Sequence, residues 1–190
     1  MSNRAIHSLL FGAIIVLGIF LRFYRIDSQS LWWDEGYSYG LAQDIQKQGI
    51  DAFSASNQGH AAALSSDKPQ ALFHILVSLL PSKWQPEWKM RFWPAITGSL
   101  SLLLLLGILK LQELKSSQIL ITLLLAGISP FLIYYSQEGR PYSLLFMAEL
   151  LFLYIVQLYP KQDSYKKCLV VTITIVFIGL IQFMGLIVPF

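Results

Sequence analysis

Residues 5–35 read AIHSLLFGAIIVLGIFLRFYRIDSQSLWWDE, an apolar run followed by two tryptophans and two carboxylates. Residues 9–21 carry no charge, and an uninterrupted apolar helix of about 20 residues crosses a bilayer. Residues 22–25 are typical of an interfacial anchor, and no small-x-small cleavage pattern follows, so a retained anchor is favoured over a cleaved signal peptide. The stretch predicts a first membrane span that leads into an acidic segment at the membrane surface.

The composition also indicates a membrane protein. Of its 190 residues, 55% are hydrophobic and only 13% are charged, which is too apolar for an ordinary soluble domain. The net charge of +3 comes from Lys and Arg residues between apolar runs, so it bears on topology and no nucleic-acid partner is expected. The single cysteine, Cys168, has no partner thiol or spaced histidine in the chain.

The hydrophobic pattern predicts an all-α integral membrane protein with about five transmembrane helices and a large first outer loop. The predicted spans are residues 5–23, 91–111, 119–135, 142–159 and 168–190. Residues 24–90 are too polar to cross and form the outer loop with juxtamembrane helices. Within it, residues 34–48 show helical spacing with Gly49 as a stop, while residues 71–80 are short for a span and are expected at the interface.

Charge placement predicts the orientation. A cytoplasmic amino terminus in the plasma (inner) membrane, with residues 69–84 not crossing, puts the lysines of the short loops inside. These are Lys110, Lys115, Lys161, Lys166 and Lys167. Counting residues 69–84 as a span would put them outside, against the positive-inside tendency. The outer loop is therefore expected on the non-cytoplasmic face.

This topology collects the unusual polar residues on one outer face. They are Asp34, Glu35, Lys68, Arg91, Gln137, Glu138 and Arg140. A carboxylate held near the headgroups by Trp32 and Trp33 can act as general base for an acceptor hydroxyl or amine. Adjacent carboxylates at a helix start can also simply favour the helix dipole, and the cations can snorkel to the interface. Both interpretations stay open at this point.

Four stretches carry a resemblance to a known superfamily: SLWWDE at 30–35, DKP at 67–69, RFWP at 91–94 and SPFLIYYSQEGRPYSL at 129–144. Together they resemble the amino-terminal part of GT-C fold glycosyltransferases, in the branch of the protein O-mannosyltransferases and aminoarabinose transferases. The resemblance covers nearly the whole chain, and its last stretch is the most specific.

The resemblance implies transfer of a sugar from a polyprenyl-phosphate carrier to an acceptor at the outer face, with inversion at the anomeric carbon. It assigns Asp34 as the base and Glu35 as a neighbour that orients the acceptor or helps to bind a divalent cation. Lys68 matches a lysine near the donor phosphate and Arg91 an arginine at the outer start of the second span. A phosphate leaving group needs cations, and Arg140 would add a bidentate donor beside these two. Residues Gln137, Glu138 and Tyr142 would orient Arg140 or contact the sugar.

Two departures keep other functions open. Lys68-Pro69 is followed by Gln70-Ala71-Leu72-Phe73 where relatives place a small or apolar residue and a tyrosine. Relatives also run to several hundred residues, so a second chain that supplies further helices is one expectation. A truncated, non-catalytic membrane protein that binds lipid-linked sugar is the alternative. A transporter is disfavoured because no paired discontinuous helices are found.

Glu149 and the three histidines are further candidates for chemistry. Glu149 lies inside the predicted fourth span, where it is either functional or protonated and hydrogen-bonded to a neighbouring helix. The histidines His7, His60 and His74 lack ligand spacing, so no metal is predicted beyond the cation left open at Asp34 and Glu35.

Overall fold

A computed structural model describes residues 3–49, 52, 70–158 and 164–181 of the chain. Within these ranges the regular structure is helical and contains no strand. The helices are α1 (Asn3–Phe23), α2 (Trp33–Gln48), α3 (Ala71–Ser78), α4 (Pro86–Leu111), α5 (Ser116–Ile128), α6 (Pro130–Ser136), α7 (Tyr142–Leu158) and α8 (Ser164–Ile181). The predicted donor contact Lys68, with the rest of the 67–69 stretch, lies outside the described residues.

Two of these helices, over Ala5–Phe23 and Pro86–Leu111, are long and apolar enough to cross a membrane. The pair α5 and α6 would add a third crossing if the two bent segments form one span. Helix α7 and the described part of α8 are apolar but shorter. The chain is thus an all-helical, membrane-associated protein, and the count of about five spans stays a prediction.

Helix α2 confirms the helix predicted over residues 34–48. It ends at Gly49, whose φ of +66° suits a residue without a Cβ, and the Gly49 amide caps the carbonyl of Ile45. Helix α4 begins earlier than predicted, at Pro86 and not at residue 91. Proline suits the first helical position, and the polar residues after it keep the backbone helical although they end the apolar run.

The predicted third span over residues 119–135 is not one straight helix. Helices α5 and α6 meet at an angle of 52°. Pro130 opens α6, and Ser129 before it takes an extended ψ of 117°, as residues preceding proline usually do. The Ser129 hydroxyl then accepts from the Leu132 amide at 3.4 Å, which caps the new helix.

Helix α4 is the centre of the bundle and packs against α1, α5, α6 and α7. At Gly18 a Cβ would lie 2.5 Å from Leu102 Cδ1 of α4 and 3.4 Å from the Gly127 Cα of α5, so a side chain there would separate the helices. Helices α2 and α3 pack together through Ala42 and Phe73 onto Met90, near the start of α4. Helices α2 and α3 therefore cover the end of the bundle where α1 ends and α4 begins.

Candidate functional site

The acidic pair is divided by burial. Glu35 is 1% exposed, whereas its neighbour Trp33 is 85% exposed and Asp34 is half-buried. All three lie in the first turn of α2, so successive side chains point in different directions. The local helix thus presents one carboxylate to the interior and leaves the other accessible.

Glu35 forms a buried ion pair with Arg91 of α4. Arg91 Nε donates to Glu35 Oε1 at 3.0 Å and Arg91 Nη2 donates to Glu35 Oε2 at 2.7 Å, a two-bond fork. Charge-assisted bidentate pairs of this kind are among the stronger and more directional side-chain contacts. The pair therefore fastens the start of the loop helix to a candidate span.

Arg91 uses its remaining donors on the segment between α1 and α2. Its Nη1 donates to the carbonyls of Ile26 at 2.9 Å and Gln29 at 2.8 Å, and its Nη2 donates to Ser30 at 3.3 Å. With the two bonds to Glu35, these contacts use all five N–H groups of the guanidinium. Binding of a donor phosphate by Arg91, as the sequence predicts, would require at least one of these bonds to be exchanged.

The Glu35 carboxylate also accepts hydrogen bonds from backbone amides. Its Oε1 also accepts from the Gly139 amide at 2.5 Å, and its Oε2 accepts from the Trp32 amide at 3.3 Å. One carboxylate thus joins α2, α4 and the 137–141 turn between α6 and α7. A divalent cation at Glu35 would have to displace these donors, and the described residues contain no group of three His, Cys, Asp or Glu side chains arranged for a metal.

Gly139 is required by this close approach. A Cβ there would lie 2.9 Å from Met90 Cβ and 3.0 Å from Glu35 Oε1. We expect Gly139→Ala to lower the free energy of unfolding by about 1–3 kcal/mol, as overpacked substitutions do. The measurement is unfolding by SDS titration in mixed micelles. The matched control is Gly36→Ala, where the new Cβ meets nothing within 4 Å and helix propensity favours alanine. Equal stability of the two variants would contradict the packing argument.

A cavity of about 140 Å³ opens beside the ion pair. Its lining includes Ile26, Gln29, Trp32, Glu35, Arg91 and Glu138. Glu138 is buried, and its Oε2 has no hydrogen-bond partner among the described residues. Burial is the main cause that raises the pKa of Glu138 above its ordinary value of 4.5; the charge of Glu35 adds to the effect and that of Arg140 opposes it.

The electrostatics of Glu138 show which predicted residues come together. The charges of Glu35, Arg140, Asp34 and Arg91 all act on the Glu138 carboxyl. Residues from α2, α4 and the 137–141 turn therefore form one cluster of mixed charge. The sequence predicted this assembly from topology, and here the ion pair and the turn bring it about.

The raised pKa of Glu138 gives a pH-dependent prediction. The folded chain binds the Glu138 proton more tightly than the unfolded chain, so this group makes stability fall as pH rises above 4.5 toward and through the folded pKa. We expect Glu138→Gln, which resembles the protonated form, to be more stable than the original chain at neutral pH and similar to it below pH 4.5. SDS titrations across pH measure this difference. A glutamine variant that is less stable at neutral pH would show that the charged carboxylate is favoured.

The remaining predicted site residues, Gln137, Arg140 and Tyr142, each contact a different part of the fold. Gln137 Nε2 donates to the carbonyls of Leu21 and Tyr24, each at 3.0 Å, and so caps the end of α1. Arg140 is buried and donates to Ser38 Oγ of α2 at 3.1 Å. Tyr142 packs its ring 5.2 Å from that of Tyr135, away from the cavity beside Glu35.

Two buried polar residues, Lys89 and His74, had no contacts predicted from the sequence. Lys89 donates through Nζ to Gln46 Oε1 at 2.7 Å, which ties α4 to α2 a second time. His74 of α3 is fully buried, and burial together with the charge of Arg140 lowers its pKa to about 4. No spacing pattern marks these residues, because their partners come from distant segments. Glu149 is half-buried in α7.

Fold and site define the chain as an all-helical, membrane-associated protein whose acidic segment is anchored to a candidate span by a buried ion pair. No family model, curated protein or solved structure matches the chain. Its function is therefore inferred from the residues of the site.

Proposed function

We propose that the chain is a membrane glycosyltransferase, or the catalytic-loop part of one, that transfers a sugar from a polyprenyl phosphate to an acceptor at the outer face. The observation that supports this best is the cluster of Asp34, Glu138 and Arg140, whose charges interact although they are far apart in sequence. A half-buried carboxylate and a buried cation, whose charges both act on Glu138, provide the two kinds of group that the reaction needs. The resemblance to GT-C glycosyltransferases adds the donor class.

In the proposed reaction Asp34 takes the proton of the acceptor hydroxyl or amine. The acceptor oxygen or nitrogen forms a bond to the anomeric carbon as the bond from that carbon to the phosphate oxygen breaks, which inverts the configuration. The polyprenyl phosphate leaves as an anion and needs no proton, so cations that stabilise its charge are the other requirement. Arg140 and Lys68 are the proposed cations.

Glu35 has a positioning role in this scheme. Its oxygens accept from Arg91, Trp32 and Gly139, and these bonds hold the first turn of α2 in place. Asp34 immediately precedes Glu35 in that turn, so its carboxylate is positioned by the same contacts. In this scheme Asp34 therefore accepts the proton, and Glu35 holds the helix turn that positions Asp34.

The second candidate is a non-catalytic subunit that keeps the site and binds lipid-linked sugar or a second chain. Large apolar side chains on α1 favour it, because Leu9, Val16 and Phe20 are all more than half exposed. Such a face contacts either lipid or further helices. A second chain that supplies those helices would also complete an active enzyme.

The deciding experiment is a transfer assay with the full chain in membranes. A radiolabelled polyprenyl-phosphate sugar is supplied, and label in acceptor material is measured with and without the product of a neighbouring gene that encodes further membrane helices. We expect transfer that depends on Asp34, either by the chain alone or in the presence of the second product. Binding of the donor without transfer in either condition would support the non-catalytic alternative.

Topology is tested separately by cysteine labelling from outside the cell. In a Cys168→Ser background, single cysteines replace Ser28, Gln112 or Asp163, which lie in three different predicted connections. Only the cysteine at Ser28 is expected to react with an impermeant maleimide, because five spans put the other two inside. Labelling at Gln112 or Asp163 without permeabilisation would overturn the five-span arrangement.

A further inference from the structure

An open aromatic groove lies at the first turns of α2, and the proposed reaction does not yet use it. Its volume is about 530 Å³, within the usual range of small-ligand pockets. It is lined by Leu31, Trp32, Trp33, Gly36 and Tyr37, so three of its five residues are aromatic. Trp33 is 85% exposed and Trp32 is 47% exposed. Large exposed rings that are grouped in this way mark an interaction surface.

Gly36 keeps room beside the rings. It is exposed, and a Cβ built on it meets nothing within 4 Å. Glycine is unfavourable inside a helix by about 1 kcal/mol relative to alanine, so the helix itself gains nothing from it. A larger side chain at this position would extend into open space in the groove and would not disturb the packing of α2.

The groove adjoins the polar cavity beside the ion pair, because Trp32 lines both. Ser28 and Gln29, which are polar and neutral, line that cavity. Its charged lining is formally balanced, with two arginines and two glutamates: Arg25, Arg91, Glu35 and Glu138. An aromatic surface therefore continues into a set of hydrogen-bonding groups without net charge.

We propose that the groove and the polar cavity together bind a saccharide, and that this saccharide is the acceptor of the transfer reaction. A pyranose ring has apolar C–H faces and a rim of hydroxyl groups. One face packs against Trp32 and Trp33, while the hydroxyl groups exchange hydrogen bonds with the polar cavity. A hydrocarbon chain would leave the polar groups unused, and a small ion would meet charges of both signs. A saccharide uses both surfaces.

The acceptor role rests on the proposed function, whereas the saccharide class rests on the groove and the cavity. Asp34, the proposed base, stands in the chain between Trp33 of the groove and Glu35 of the cavity. Arg140, the proposed cation for the donor phosphate, lines neither of them. In the reaction a saccharide hydroxyl gives its proton to Asp34 and its oxygen bonds to the anomeric carbon, while the polyprenyl phosphate leaves.

Binding is tested by saturation-transfer difference NMR with the purified full chain. A polyoxyethylene detergent is used, because it has no sugar headgroup that competes. The probes are mannotriose, cellotriose and chitotriose, with glycerol as a polyol that has no ring face. We expect transfer to the ring C–H protons of at least one trisaccharide and none to glycerol. Equal transfer to glycerol, or no transfer to any of the three, would overturn the proposal.

Variants locate the site. Trp33→Ala should weaken binding of that trisaccharide about tenfold, and Trp33→Tyr, which keeps an aromatic ring, should weaken it less. Gly36→Leu fills open space and keeps both tryptophans, so it should also weaken binding. The control Tyr165→Ala removes a ring that is 81% exposed on α8 and should bind as the original chain does. Undiminished binding in Trp33→Ala or in Gly36→Leu would overturn the assignment.

The membrane interface is the competing occupant, because exposed tryptophans are common there. Tryptophan emission is measured for the original chain and for Trp33→Ala in nanodiscs of brominated and of ordinary phosphatidylcholine. The difference between the two proteins is the emission of Trp33. We expect this difference to be the same in both kinds of nanodisc. Its quenching by the brominated lipid would place the groove in the bilayer and overturn the proposal.

The outcome is separable from that of the transfer assay. Trisaccharide binding that depends on Trp33, in a chain that transfers no sugar with or without the second product, would keep the saccharide site and remove both the proposed activity and the acceptor role. Transfer at the normal rate in both Trp33→Ala and Gly36→Leu would keep the activity and overturn the acceptor role of the groove.

Discussion

Asp34→Asn is expected to lower sugar transfer by about 10²–10⁴-fold, the usual contribution of a general base, without loss of the fold. Asparagine keeps the size of the side chain but cannot accept the acceptor proton at neutral pH. The half-buried Asp34 lies beside Glu35, and its side chain contributes none of the hydrogen bonds of the Glu35 carboxylate, so stability should stay within about 0.5 kcal/mol of the original chain.

The measurement is initial transfer rate in membranes, with the amount of folded protein determined in the same samples. Asp27→Asn is the matched control, because it removes an exposed carboxylate of the same connecting segment, one that accepts from the Trp88 indole N–H at 3.2 Å. Transfer by that control should be close to normal. Undiminished transfer by Asp34→Asn would refute the assignment of the base.

Breaking the Glu35–Arg91 pair is expected to destabilise the fold by about 3–5 kcal/mol, since removal of one partner leaves the other buried and charged. The loss should be large in Glu35→Gln and in Arg91→Met. Arg91→Met also removes the donors to Ile26, Gln29 and Ser30, so it releases the segment between α1 and α2. Transfer would fall in both variants through displacement of Asp34.

A double-mutant cycle isolates the pair itself. The combined variant Glu35→Gln/Arg91→Met should lose less than the sum of the single losses, because each single variant leaves one buried charge unpaired and the double variant leaves none. Unfolding by SDS titration in mixed micelles provides the four free energies. Additive losses would show that the two side chains act independently, and a loss in Glu35→Gln no larger than in Asp34→Asn would contradict the structural role of Glu35.

The contrast between Asp34 and Glu35 also shows where sequence reasoning stops. Both carboxylates stand in the first turn of a helix that the spacing of Tyr37, Leu41 and Ile45 predicts, and the helix is present at Trp33–Gln48. The helical spacing alone does not show which of the two carboxylates is buried. Only the position of α4 decides that Glu35 is buried, because its partner Arg91 comes from a distant segment.

Apolar runs determined by themselves that this is a helical membrane-associated chain, since a bilayer requires long apolar segments whose backbone groups bond internally. They also located α1, most of α4 and the more polar segment between them. The bend at Ser129 was signalled by Pro130, yet its angle of 52° depends on what the two helices pack against.

Tertiary structure alone decided the roles of the cations. Arg22, Arg91 and Arg140 look alike in sequence, as arginines near predicted helix ends. In the fold Arg91 is saturated by a carboxylate and backbone carbonyls, Arg140 contacts Ser38, and Arg22 donates to the carbonyls of Gly18 and Gly127. The physical reason is that hydrogen-bond partners of a buried cation are set by which segments meet around it, and no local pattern specifies that meeting.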